Sequence, residues 1–213
     1  MKQFPHFWFW GAITLCSLVP SPPAVAQVVP DATLPNNSVV TTDGSSSVIT
    51  GGTQAGSNLF HSFEQFSIPT GGTAYFNNAA DIQNIFSRVT GKDVSNIDGL
   101  IQANSTANLF LINPNGIIFG QGARLNIGGS FLGSTAASLN FADGTSFSAT
   151  APQATPLLTI SVPIGLQIGA NSGSILNQSG QSLDYRSDET SRSLQVQPDK
   201  TLALVANGIS EWH

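Results

Sequence analysis

Few residues in this chain are able to do chemistry. After position 26 the only histidines are His61 and the terminal His213, and the single cysteine of the whole chain is Cys16. A Ser–His–acid hydrolase would need His61 as its base, because a chain terminus is a poor place for one. His61 stands in the run Leu59-Phe60-His61-Ser62-Phe63, where the ordinary role is a strand histidine that faces outward or is hydrogen-bonded. Carboxylate pairs for glycoside cleavage exist by number. Asp93 and Asp98, however, stand beside turns, where Asp is favoured for its own backbone bonding. No group of His, Cys, Asp and Glu has metal-ligand spacing. Gly51-Gly52, Gly71-Gly72 and Gly128-Gly129 lead into no helix carrying a lysine, so they read as corners and not phosphate loops. The expectation is no catalytic residue, no cofactor and no metal.

One segment is specific in another way. Asn113-Pro114-Asn115-Gly116 lies between the apolar runs Asn108-Leu109-Phe110-Leu111-Ile112 and Ile117-Ile118-Phe119. This is the pattern strand, tight turn, strand. Pro114 presets φ near −65° at the second turn position, and an Asn at the first position bonds its own backbone two residues on. Asn115-Gly116 supplies residues tolerant of the left-handed region, suited to reversing the chain.

The elements that must hold such a turn follow from composition and spacing. Charged residues make up 9% of the 213-residue chain, whereas Ser, Thr, Asn and Gly number 26, 17, 16 and 21. The net charge of −5 and 40% hydrophobic content exclude a charge-driven disordered tail. Seven Lys+Arg provide no basic patch for nucleic acid. Short apolar runs punctuated by turn residues predict strands at 47–50, 58–63, 73–76, 86–90, 99–101, 107–112, 117–119, 124–127, 130–132, 146–149, 157–161, 166–168, 174–176 and 201–205. Residues 81–86 fit one short helical turn, and residues 27–46 read as an extended lead-in or edge segment. Ile97 and Ile117, Phe119 and Leu139, and Leu139 and Thr159 are each spaced by 20 residues. A repeat of that length with Gly, Asn and Ser corners favours a parallel β-helix, in which stacked coils bury a face that none buries alone. Uncharged corners suit it, since like charges stacked at the ~4.8 Å strand spacing would repel. An antiparallel sandwich shows similar strand spacing and is the alternative. Asp43-Gly44, Asn115-Gly116 and Asp143-Gly144 are hairpin-turn pairs, so hairpins should decorate the stack.

The two ends differ from this body. Lys2, an apolar run over 7–19, prolines at 20, 22 and 23, and Ala24-Val25-Ala26 form the signature of a secretory signal peptide spanning 1–26. The run is short of the ~20 residues needed to span a membrane. Ile13-Thr14-Leu15 before Cys16 lacks the small residue of a lipidation site. The remaining chain enters an oxidising compartment without a cysteine, so its stability must come from packing. Residues 183–200 gather Asp184, Arg186, Asp188, Glu189, Arg192, Asp199 and Lys200, a solvated excursion before a further strand at 201–205.

The segment 108–120, Asn-Leu-Phe-Leu-Ile-Asn-Pro-Asn-Gly-Ile-Ile-Phe-Gly, resembles the central motif of the N-terminal secretion domain of filamentous haemagglutinin-type exoproteins, the haemagglutination-activity domain of two-partner secretion systems. Residues 58–76, 82–101 and 128–136 resemble flanking stretches of the same family, in order, and the likeness runs from about residue 28 to 177. The resemblance implies a right-handed parallel β-helix with an N-terminal cap and small extra-helical β-elements. It implies docking on the periplasmic domains of an outer-membrane β-barrel transporter in a Gram-negative cell, then export to the cell surface or medium. By position, Asn113, Pro114, Asn115, Gly116 and Ile117 would form the motif needed for secretion. A second motif, Asn-Pro-Asn-Leu, found upstream in some members, is replaced here by Asn77-Asn78-Ala79-Ala80. On this reading 27–180 is the secretion domain, and 181–213 is the charged excursion with the start of a further coil, as in a truncated or split exoprotein or a stand-alone secretion domain.

Three functions compete. A non-catalytic secretion module uses the leader, the repeat and the motif set together. A surface adhesin for carbohydrate or cells would want exposed aromatics, and Tyr75, Tyr185 and Trp212 are the only Tyr or Trp after residue 26. A polysaccharide-cleaving enzyme would want acids on successive coils, yet between 99 and 183 only Arg124 and Asp143 are charged.

Overall fold

The structure is a computed structural model that describes residues 27–152, 159–180 and 194–211. The expected leader and the stretch 181–193 of the charged excursion lie outside the described residues. Among the described residues every regular element is a β-strand. Parallel strands stack into a solenoid of about three turns, a parallel β-helix.

The first face carries β5 (Asn58–Phe66), β7 (Asn84–Val89), β10 (Asn108–Ile112), β13 (Phe131–Ser134) and β18 (Leu202–Val205), each parallel to the next. The second carries β8 (Ser95–Ile97), β11 (Ile117–Phe119), β17 (Ile175–Asn177) and β19 (Ile209–Glu211). The third carries β3 (Ser46–Gly51), β6 (Thr73–Phe76), β9 (Leu100–Ala103) and β12 (Arg124–Asn126). An N-terminal cap closes one end. There β1 (Val28–Pro30) and β4 (Thr53–Ala55) pair antiparallel with β5, and β2 (Ser38–Asp43) forms a hairpin with β3 through Asp43-Gly44. Outside the coil, β14 (Ser138–Phe141), β15 (Ser146–Ser148) and β16 (Pro163–Gln167) make a three-stranded antiparallel sheet, its hairpin turning at Asp143-Gly144.

Alternation along the strands explains why the first face is buried on both sides. Leu59, Phe63, Ile85, Val89, Leu109, Leu111 and Phe131 point into the coil with Ile117, Phe119 and Ile101. Their neighbours Phe60, Phe86 and Ile112 point outward, where Leu139, Phe141 and Phe147 of the extra-helical sheet and Leu34 of the cap cover them. Phe60 packs edge-on to Phe147 at 5.2 Å, and Phe86 edge-on to Phe141 at 5.2 Å. Burying each such ring contributes roughly 1.5–3 kcal/mol.

Polar side chains set the register at one corner. Asn84 Nδ2 donates to Asn58 Oδ1 and Asn108 Nδ2 to Asn84 Oδ1, both at 2.9 Å. The ladder runs on as Ser130 N–H donates to Asn108 Oδ1 and Thr201 N–H to Ser130 Oγ. At its start Asn58 Nδ2 donates to the carbonyls of Thr159 and Ser161, each at 3.0 Å.

Four expectations need correction. Paired positions on the first coils lie 22 to 27 residues apart, as for Leu109 with Phe131 and Thr73 with Leu100, and farther apart where other segments intervene, as for Ile117 with Ile175, not 20. Ile97 pairs with Phe119, while Leu139 belongs to the extra-helical sheet, so the 20-residue spacing matched residue type without register. Residues 81–86 hold no helical turn. A turn at Ala79–Ile82 is followed directly by β7, because Ile85 and Phe86 must face opposite sides of the sheet. Residues 159–161 are not a strand, being held by Asn58 and by an ST turn in which Thr159 Oγ1 accepts from Ser161 N–H; 157 and 158 lie outside the described residues. Asn115-Gly116 is no hairpin, since β10 and β11 belong to different faces.

Candidate functional site

The Asn113–Ile117 segment is the corner between β10 and β11. Gly116 N–H donates to Asn113 C=O at 3.1 Å, closing a β-turn with Pro114 at its second position. Asn113 Oδ1 accepts the Asn115 N–H at 3.0 Å, the self-bonding that this residue order implies. Gly116 has φ 131°, a conformation that a side chain would strain.

The amide of Asn113 is fully buried and used to capacity. Its Nδ2 donates to Asp93 C=O at 3.0 Å and to Ser95 Oγ at 2.9 Å, both on the preceding coil. Its Oδ1 also accepts from Asn115 Nδ2 at 3.0 Å, and Asn115 Nδ2 donates in turn to Gly91 C=O at 2.8 Å. The corner's backbone then reaches the following coil. Asn113 N–H donates to Ser134 C=O, Gly173 N–H to Pro114 C=O, and Ile117 N–H to Ser174 C=O. Gly173 is required by that approach, because a Cβ there would lie 2.2 Å from Asn115 C=O. Ile117 is fully buried in the coil core. The motif is therefore a stitch through three coils. Pro114 and Asn115 are its partly exposed members.

This corner offers no nucleophile, acid or base, and the other candidates are equally silent. His61 is buried, with Nδ1 bonded to Ser38 Oγ at 3.0 Å and its ring stacked near Phe63. Burial pushes its pKa down to about 3, so it stays neutral. Ser38 and His61 form a Ser–His contact that no substrate reaches, both being buried. Asp98 accepts hydrogen bonds from Thr70 Oγ1 and Gly122 N–H, and Asp93 from Gln65 Nε2, which are structural roles at corners. Among the described residues no three His, Cys, Asp or Glu side chains group as metal ligands, and no helix is long and apolar enough to cross a membrane.

Two constellations escaped the sequence reading. The Asn58, Asn84 and Asn108 ladder was visible as Asn at strand starts 26 and 24 residues apart. The buried Arg88 had no sequence signal, since its partners Thr33, Ser62 and Ser148 come from distant segments.

Comparison with known proteins agrees with the fold. No curated protein matches the chain. The crystal structure of the HMW1 secretion domain from Haemophilus influenzae superposes with a TM-score of 0.51 at 20% identity. That match covers 87% of this chain and 42% of the other, so the chain spans less than half of that structure, and the likeness is one of fold. The family model for the TPS secretion domain matches residues 26–210. With nearly the whole described chain inside that match, the protein belongs to the two-partner secretion (TPS) domain family.

Proposed function

We propose that this chain is a non-catalytic secretion module that docks on the periplasmic domains of an outer-membrane β-barrel transporter and is carried to the cell surface or medium. A leader over 1–26 would bring it to the periplasm, 27–180 would form the secretion domain, and 181–213 would begin a further coil. The supporting observation is the Asn113–Ile117 corner. It carries the residue order of the family's secretion motif and stitches three successive coils by side-chain and backbone bonds. Asn113, Pro114, Asn115, Gly116 and Ile117 would then serve secretion by shaping the surface the transporter meets. Asn113, with every amide bond internal, has none left for a partner.

The test is export. The chain is expressed with and without a cognate transporter, and residues 27–213 are followed in periplasm and medium. Transporter-dependent release is expected, reduced by Asn113→Ala and less by Asn115→Ala. Removing Asn113's amide orphans buried groups at about 1–3 kcal/mol, whereas Asn115 is partly solvated. Undiminished release of Asn113→Ala, or periplasmic retention of the unaltered chain with its transporter, would overturn the reading.

A further inference from the structure

Arg88 is the largest fully buried side chain described, and it lies on the outer side of the first face, paired with Ile112 next to the Asn113 corner. Its partners come from three separately built pieces. Nε donates to Ser62 Oγ of β5 at 2.9 Å. One Nη donates to Thr33 Oγ1 of the cap at 2.8 Å, and the other to Ser148 C=O of β15 at 2.8 Å. The guanidinium lies over the Phe147 ring, 4.3 Å from its centre. Both hydroxyls that accept from Arg88 donate onward to one carboxylate: Thr33 Oγ1 to Asp31 Oδ1 and Ser62 Oγ to Asp31 Oδ2, each at 2.7 Å. Thr90 Oγ1 adds a third hydroxyl bond to Asp31. The two charges are thus joined through polarised hydroxyls. Burial raises the Asp31 carboxyl, and the bonds from Thr90, Ser62 and Thr33 outweigh it, leaving it below its ordinary value.

We infer that this hydroxyl-relayed Asp31–Arg88 network is a latch that makes the N-terminal cap and the extra-helical sheet close as one cooperative unit. A buried guanidinium with all partners is tolerated, but with a third of them missing it leaves unpaired donors where water cannot reach. Cap residues 31–33 and hairpin residues 147–148 share no strand pairing. They meet on Arg88, so opening one strands the charge that the other covers. The latch closes only when β5, β7, cap and hairpin are all in place.

The test is hydrogen exchange read by mass spectrometry on the purified chain, which needs no transporter and so stands apart from the export reading. Thr33→Val keeps shape and removes the relay hydroxyl. Asp31→Asn removes the charge. Each is expected to raise exchange in residues 146–149, more than 100 positions away, by about ten-fold or more, together with exchange in 28–34. Phe147→Leu is expected to loosen 28–34 in return. In Arg88→Met the two regions should exchange independently. If Thr33→Val and Asp31→Asn loosen only the cap while 146–149 keep their protection, there is no latch.

Discussion

At the residue scale, side chains that looked chemical are consumed by packing. His61 is the clearest case. Its run showed a strand histidine, and the structure places it inward between Phe63 and Phe76 with one bond to Ser38. What the run could not show was the direction it faces, because Phe60 and Phe63, on opposite sides of the same strand, are both buried. Burial lowers its pKa from 6.5 to about 3. The unfolded chain therefore binds a proton below pH 6.5 that the folded chain refuses. The stability this neutral imidazole confers is full above 6.5 and falls as pH drops toward 3, by up to ~1.4 kcal/mol per pH unit. Urea denaturation of residues 27–213 from pH 7 to 4 should show that slope. His61→Leu should flatten it, and an unchanged slope would mean the ring is reached by protons in the folded state. The Asn113 turn, by contrast, was legible in its Pro114 position and its Asx bond, since a four-residue turn writes its geometry in local residue types, but not in its outcome, a corner leading to the next face and no reversal.

At the element scale, the strands that a period of two marks clearly are the coil strands: the expected 73–76 and 117–119 coincide with β6 and β11. The coil itself was harder to read. Corners absorb a variable number of residues, so paired positions fall 22 to 27 apart on the first coils and farther apart on the later ones, and no single period fits. The expected strand at 166–168 overlaps only the end of β16, whose Pro163 and Gly165 carry no strand signal. What keeps variable coils in register is the asparagine ladder. Asn84 is its middle rung, donating to Asn58 and accepting from Asn108. Asn84→Ala is expected to lower stability by about 1–3 kcal/mol, because both neighbours lose a partner at a half-buried corner. It should also leave export through a transporter intact once folded, since the ladder lies away from the Asn113 corner. Chemical denaturation checks the first expectation. Asn84→Ser, too short to span both rungs, should behave like Ala, and a ladder without energetic weight would leave both midpoints unchanged.

At the scale of the whole molecule, each coil touches only its neighbours, and the exception is the extra-helical sheet. It is inserted between β13 and β17, and together with residues 168–201 it sets the next strand of the first face, β18, 71 residues from its partner β13. Asp43-Gly44 and Asp143-Gly144 marked two hairpin turns, but not that the second hairpin folds over Phe60 and Phe86, because that cover is a tertiary fact with no local signature. The insertion returns to its origin, as Ala137 N–H donates to Gln167 C=O at 2.7 Å. It can therefore be replaced without stretching the coil. A chain with 138–167 exchanged for a short Gly-Ser turn would keep all three parallel faces and leave Phe60, Phe86 and Ile112 bare, with Arg88 deprived of Ser148 and Phe147. Uncovering two such rings removes roughly 3–6 kcal/mol of apolar burial. A marked drop in the urea midpoint and strong binding of a hydrophobic dye are expected. If the replaced chain held its midpoint and bound no dye, the outer face of the first sheet would not depend on its cover. The stability of the stack would then reside in the coil core and the ladder alone.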